Sequence, residues 1–75
     1  MIYYMGMSGL ELFIKEERKK NAITQEELAR MTGVGLRFIR DMEQGKKTLR
    51  LDKVNQVLAA FGSEMMPCRI QEKNK

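Results

Sequence analysis

The chain has no histidine and no tryptophan, and only one cysteine (Cys68) and one proline (Pro67) in its 75 residues. Without histidine, no side chain has an ordinary pKa near neutrality, so acid–base chemistry at pH 7 would fall to Glu or Lys. A single cysteine forms no internal disulfide and, with no histidine beside it, cannot supply the ligands of a structural zinc site. No apolar run approaches the ~20 residues of a membrane-spanning helix. Met1 to Ile14 lacks the basic start of a signal peptide, and Glu11 interrupts it. There is no Gly-rich phosphate loop and no nucleophile–base constellation. These absences argue against an enzyme, a metal or other cofactor, and a membrane protein. The expected location is the cytoplasm, whose reducing conditions suit a lone cysteine.

What is present is a small basic chain with its excess charge on one side. Residues 1–34 hold five basic groups and five acidic ones, which cancel. Residues 35–75 hold nine basic and five acidic groups, which accounts for the whole net charge of +4. Arg37, Arg40, Lys46, Lys47 and Arg50 cluster there. Such a cluster is either a solvated charged face or the electrostatic footprint of phosphate binding. The length fits one domain, which buries only about 60% of its unfolded surface and commonly gains a partner chain. A homodimer is therefore expected.

The most informative stretch is Thr24 to Gly45, TQEELARMTGVGLRFIRDMEQG. Thr24 and Glu27 stand at capping-box spacing, each able to satisfy the other's free backbone N–H. Leu28, Ala29 and either Met31 or Thr32 follow on one side of a helix. Gly33 supplies a tight turn, and Val34 anchors the entry to a second helix. Phe38, Ile39 and Met42 face inward on that helix, while Arg37, Arg40 and Asp41 lie on other faces. Gly45 stands where a helix commonly ends. Two short helices joined in this way place the second in a DNA major groove.

The rest of the chain frames this unit. Residues 1–8 (MIYYMGMS) form an extension that either packs on the body or stays disordered. A first helix is expected over Gly9 to Lys20, capped by Ser8, with Leu10, Phe13 and Ile14 as its apolar face. Ile23 enters the core just before the Thr24 cap. A fourth helix follows near Leu51 to Phe61, with Leu51, Val54, Leu58 and Phe61 on its inner face and Gly62 ending it. Residues 63–70 are extended by preference and break at Pro67, as an edge strand would. A single strand in a helical domain either lies unpaired on the surface or pairs with its copy in a second subunit. The second option buries apolar area, and Met65, Met66, Cys68 and Ile70 are then the expected dimer contacts. Cys68 acts there as a small buried hydrophobe rather than a disulfide. Residues 71–75 form a polar tail.

The motif from Thr24-Gln25-Glu26-Glu27-Leu28-Ala29 through Gly33, Ile39, Met42-Glu43 and Gly45-Lys46 resembles the Cro-type (XRE) helix-turn-helix family, which includes the lambdoid phage repressors. That resemblance implies an all-α, lambda-repressor-like domain of four to five helices with one short C-terminal β-strand pairing across a dimer. It also implies roles. Gly35, Leu36 and Arg37 open the recognition helix, and Arg37 is the candidate for guanine O6 and N7. Leu36 either touches a thymine methyl or is a partly exposed hydrophobe. Arg40 contacts a base or a phosphate, and Asp41 either accepts from a cytosine or balances Arg40. Gln25 matches a Gln that binds phosphate and braces the recognition helix in the phage repressors, and Gln44, Lys46 and Lys47 either take backbone contacts or form a solvated loop. In the phage repressors an Arg at the position of Arg18 pairs with a Glu at that of Glu43. A partly buried Arg18–Glu43 ion pair is expected here, against the alternative of an ordinary exposed Glu43.

The segment RLDKVNQVLAAFG and the strand after it narrow the resemblance to HipB-type antitoxins. The function so implied is an autoregulating repressor that binds an inverted repeat in double-stranded DNA and also binds a HipA-like kinase toxin. The alternatives are a stand-alone regulator without a toxin, and a helical protein-interaction module.

Overall fold

The computed structural model describes residues 9–67 and 69. The extension 1–8 with its expected cap Ser8, the expected strand positions Cys68 and Ile70, and the tail 71–75 lie outside the described residues. Four helices follow one another: α1 (Gly9–Lys20), α2 (Gln25–Thr32), α3 (Leu36–Glu43) and α4 (Leu51–Ala59). Among the described residues there is no strand and no fifth helix.

α2 and α3 are eight residues each, shorter than the ~12–15 residues an isolated helix needs to be even marginal in water. Local signals and packing hold them. The Thr24 Oγ1 accepts the Glu27 N–H at 3.0 Å, and the Glu27 carboxylate accepts the Thr24 N–H at 2.8 Å. At the other end of α2, Gly33 takes φ +81° and its N–H closes on the Ala29 carbonyl at 2.9 Å. α3 has no side-chain cap at its start. It ends at Gly45 (φ +83°), where the Gly45 and Lys46 N–H groups donate to the Met42 and Asp41 carbonyls. α1 ends in the same double bond, with the Ala22 N–H on Lys19 and the Ile23 N–H on Arg18. There the left-handed residue is Ala22 (φ +55°), which carries a Cβ penalty that glycine would not.

One core joins all four helices. It consists of Ile14, Leu28, Ala29, Val34, Ile39, Met42, Val54, Val57 and Leu58. α3 packs on α1 and α2, and α2 packs on α4. The expected faces of α2 and α3 are those observed, with Thr32 rather than Met31 turned toward the body and Phe38 only half-buried.

Three core expectations need correction. Leu51 is exposed, because it stands at the open end of α4, whereas Val57 is fully buried. The inner face of α4 thus keeps the expected Val54 and Leu58, with Phe61 packed beyond them, and gains Val57 in place of Leu51. Phe13 sits at the rim of α1, over a third exposed, with only Leu10 and Ile14 turned toward the core. Residues 63–67 run without regular structure. Pro67 has no N–H to donate, and among the described residues no other extended segment pairs with it. The segment is held instead by the Met65 N–H, which donates to the Asn55 Oδ1 of α4 at 2.7 Å.

Candidate nucleic-acid interface

The α2–turn–α3 unit is braced from beneath by a buried carboxylate. Glu43, at the end of α3, is 3% exposed. Its Oε2 accepts the Arg18 Nε–H at 2.7 Å, and its Oε1 accepts Arg18 Nη2 at 3.0 Å and Gln25 Nε2 at 3.1 Å. Arg18 also donates through Nη1 to the Ile23 carbonyl at 3.0 Å. One two-pronged pair therefore ties α1 to α3, and Gln25 ties the start of α2 to both. The hydrogen bond to Glu43 raises the Arg18 pKa above its already high ordinary value, against the opposing effect of burial.

Gln25 is half-buried and already bonded to Glu43, so it braces α3 from within the protein. A second brace links α2 to α4: the Gln56 amide donates to the Thr32 carbonyl beside the Gly33 turn.

Above this frame, α3 opens at exposed Gly35, followed by Leu36, which is partly buried against the core. Leu36 is thus chiefly a packing residue. The Arg37 side chain is 89% exposed and lies on the outer face. One turn on, Arg40 faces Glu26 of α2 at 4.0 Å. Asp41 does not balance Arg40. Its Oδ1 lies 3.5 Å from Arg37 Nε and its Oδ2 lies 3.6 Å from Lys46 Nζ. The i,i+4 spacing of Arg37 and Asp41 was the available signal for this pair.

Gln44, Lys46 and Lys47 are exposed beyond the end of α3. Of the five clustered cations, Lys47 alone has no acidic partner among the described residues. Arg50 is occupied by Asp52, Nη2 to Oδ2 at 2.7 Å, and this contact holds the Asp52 carboxyl below the usual carboxylate range.

The structure thus gathers Gly35, Arg37, Arg40, Asp41, Gln44, Lys46 and Lys47 on and just after one helix. Arg18, Gln25 and Glu43 lie below it as a support. A surface of this kind offers a guanidinium for a base edge and ammonium groups for phosphates. Of the expected dimer contacts, Met65 and Met66 are exposed apolar side chains, and Cys68 and Ile70 lie outside the described residues. Among the described residues no three His, Cys, Asp or Glu side chains gather as a metal site requires. No described helix is long and apolar enough to cross a membrane.

Comparison with known proteins gives two findings. Residues 14–65 match a helix-turn-helix family, a span that includes the Arg18–Glu43 brace and the whole of α2, α3 and α4. A protein of Sinorhizobium fredii (strain NBRC 101917 / NGR234) described as an uncharacterized HTH-type transcriptional regulator is 53% identical over 45 residues, which is 60% of this chain. The matched part spans 59% of that relative's length.

Proposed function

The chain belongs to this helix-turn-helix family, and on that premise we propose that it is a sequence-specific DNA-binding transcriptional repressor rather than an enzyme. The observation that carries the reading is Arg37. It stands on the open face of a helix whose opposite side is locked by the Arg18–Glu43–Gln25 brace. In this reading the first turn of α3 enters the major groove, Arg37 meets a guanine edge, and Gly35 lets the backbone come close. Arg40 serves a base or a phosphate, and Gln44, Lys46 and Lys47 lie along the backbone. Gln25 contributes a phosphate contact only as an extension of its bond to Glu43. The protein then acts where the DNA is, in the cytoplasm or nucleoid.

We further propose that it works as a homodimer on an inverted repeat, with half-sites about one helical turn apart. The dimer contacts are the exposed apolar residues of the C-terminal segment, Met65 and Met66, continued through Cys68 and Ile70. Within the family, the resemblance to HipB-type antitoxins favours an autoregulating antitoxin with a HipA-like kinase as its toxin partner. A stand-alone regulator is the alternative, and it agrees with the plain description of the Sinorhizobium relative.

The test is a salt titration of binding to the duplex upstream of its own gene, for wild type and Arg37→Ala. Sequence-specific recognition gives a steep salt slope. It also gives a loss of about 1–3 kcal/mol for the variant on that duplex and little on random DNA. Equal weak binding to every duplex refutes the reading. A monomer by sedimentation at micromolar concentration refutes the dimer, and failure to co-purify with a kinase encoded beside it removes the antitoxin role.

A further inference from the structure

We propose that Asp41 is a positioning residue that sets DNA specificity by holding Arg37 and Lys46, and that it touches no base itself. The inference rests on the DNA-binding reading above. The Asp41 side chain is 22% exposed, recessed between two far more exposed cations, Arg37 at 89% and Lys46 at 52%. Each carboxylate oxygen serves one of them, Oδ1 the Arg37 Nε at 3.5 Å and Oδ2 the Lys46 Nζ at 3.6 Å. Both acceptor sides thus face protein cations from two different elements, the first turn of α3 and the loop after it.

The pairing point on Arg37 matters. Nε is the inner nitrogen of the guanidinium. A carboxylate 3.5 Å from it draws the side chain along α3 electrostatically and leaves both terminal nitrogens for the two acceptors of a guanine edge. Asp41 also places a negative charge beneath the surface that would lie against phosphates. That charge opposes binding to any duplex, whatever its sequence, because non-specific affinity is almost wholly electrostatic. A correctly aimed Arg37 repays this cost only where a guanine stands in register. Partly exposed pairs at these distances stabilise a fold weakly, so loss of the Asp41 charge should leave the fold largely intact.

The experiment compares Asp41→Asn with Glu16→Gln, an equal charge change at an exposed site on α1. Each variant and the wild type are titrated against the upstream duplex and a random duplex across a salt series, with circular dichroism confirming folding. For Asp41→Asn, affinity for the random duplex is expected to rise several-fold with a salt slope steeper by about one. Its preference for the upstream duplex is expected to fall about tenfold, near the low end of what one well-aimed bidentate contact contributes. Glu16→Gln leaves the preference unchanged, and Asp41→Glu, which keeps the charge, retains most of it. If Asp41→Asn keeps the wild-type preference, or loses no more than Glu16→Gln does, the proposal is overturned while the DNA-binding reading stands. If the wild type itself prefers neither duplex, both fall together.

Discussion

Replacing Glu43 by glutamine keeps the shape of the brace and removes the charge that three donors share. In the native protein the carboxylate is 3% exposed and accepts two hydrogen bonds from Arg18 and one from Gln25. Glutamine offers one oxygen in place of two and turns an NH₂ group toward donors. Whichever way the amide is set, at least one Arg18 or Gln25 donor loses its acceptor, and the Arg18 charge loses its counterpart. Breaking a buried ion pair from one side costs about 3–5 kcal/mol. Arg18 is 16% exposed and reaches water along one edge, so the lower figure, about 3 kcal/mol, is the expected cost. A chain of this size has roughly 4–11 kcal/mol of total stability, so Glu43→Gln should lower Tm by roughly 10–20 °C. Urea unfolding followed by circular dichroism measures the loss directly, with m unchanged if the native state stays compact. The companion double variant Arg18→Met with Glu43→Leu removes both charges and should recover part of the stability, because it leaves no unpaired buried charge and gives up only the neutral Gln25 and Ile23 hydrogen bonds. A Glu43→Gln protein within 0.5 kcal/mol of wild type would falsify the assignment of the brace as the joint between α1 and α3.

Three further outcomes follow from the backbone and the caps. Ala22→Gly relieves the left-handed residue after α1 and should stabilise by about 0.5–1 kcal/mol once glycine's greater unfolded freedom is counted; a lower urea midpoint would contradict this. Gly45→Ala meets both φ +83° and the Glu11 carboxylate, which lies against the position of the new methyl group. It should cost about 1–2 kcal/mol, and an unchanged Tm would show that the turn can rearrange. The Glu27 carboxyl is held below the usual carboxylate range, chiefly by the Thr24 backbone N–H. Its folded pKa is therefore lower than its unfolded one. The stabilisation is full above the ordinary glutamate range and is lost as pH falls through the folded value. Glu27→Gln should flatten that acid limb of a stability–pH curve, and an unaltered limb counts against the capping box.

How much of this was legible in the sequence depended on the range of each interaction. The Thr24–Glu27 box and the Gly33 and Gly45 turns are decided within three to five residues, and the chain spells them out locally. The Arg18–Glu43 pair spans 25 positions. Only a family resemblance suggested it, since spacing carries no signal at that distance. Asp41 stands next to Arg40 in sequence, yet i,i+4 geometry on an eight-residue helix favours Arg37 as its partner. A periodicity that starts at Leu51 omits Val57, and the open end of α4 leaves Leu51 in water. The C-terminal segment was the least legible of all. An edge strand is defined by its partner, and the described residues of one chain hold none.

The shortness of α2 and α3 has a consequence for control. An eight-residue helix does not outlive the body that shelters it, so the recognition surface is present only in molecules that are folded throughout. On the DNA-binding reading proposed above, no intermediate can keep its grip on DNA while the rest of the domain melts. If the protein represses as proposed, promoter occupancy follows the folded fraction, and a substitution deep in the core, far from any base, would present in a cell as derepression. A genetic screen for lost repression in such a protein should recover residues like Ile14 and Val57 beside Arg37. Only a measurement of stability would tell the two groups apart.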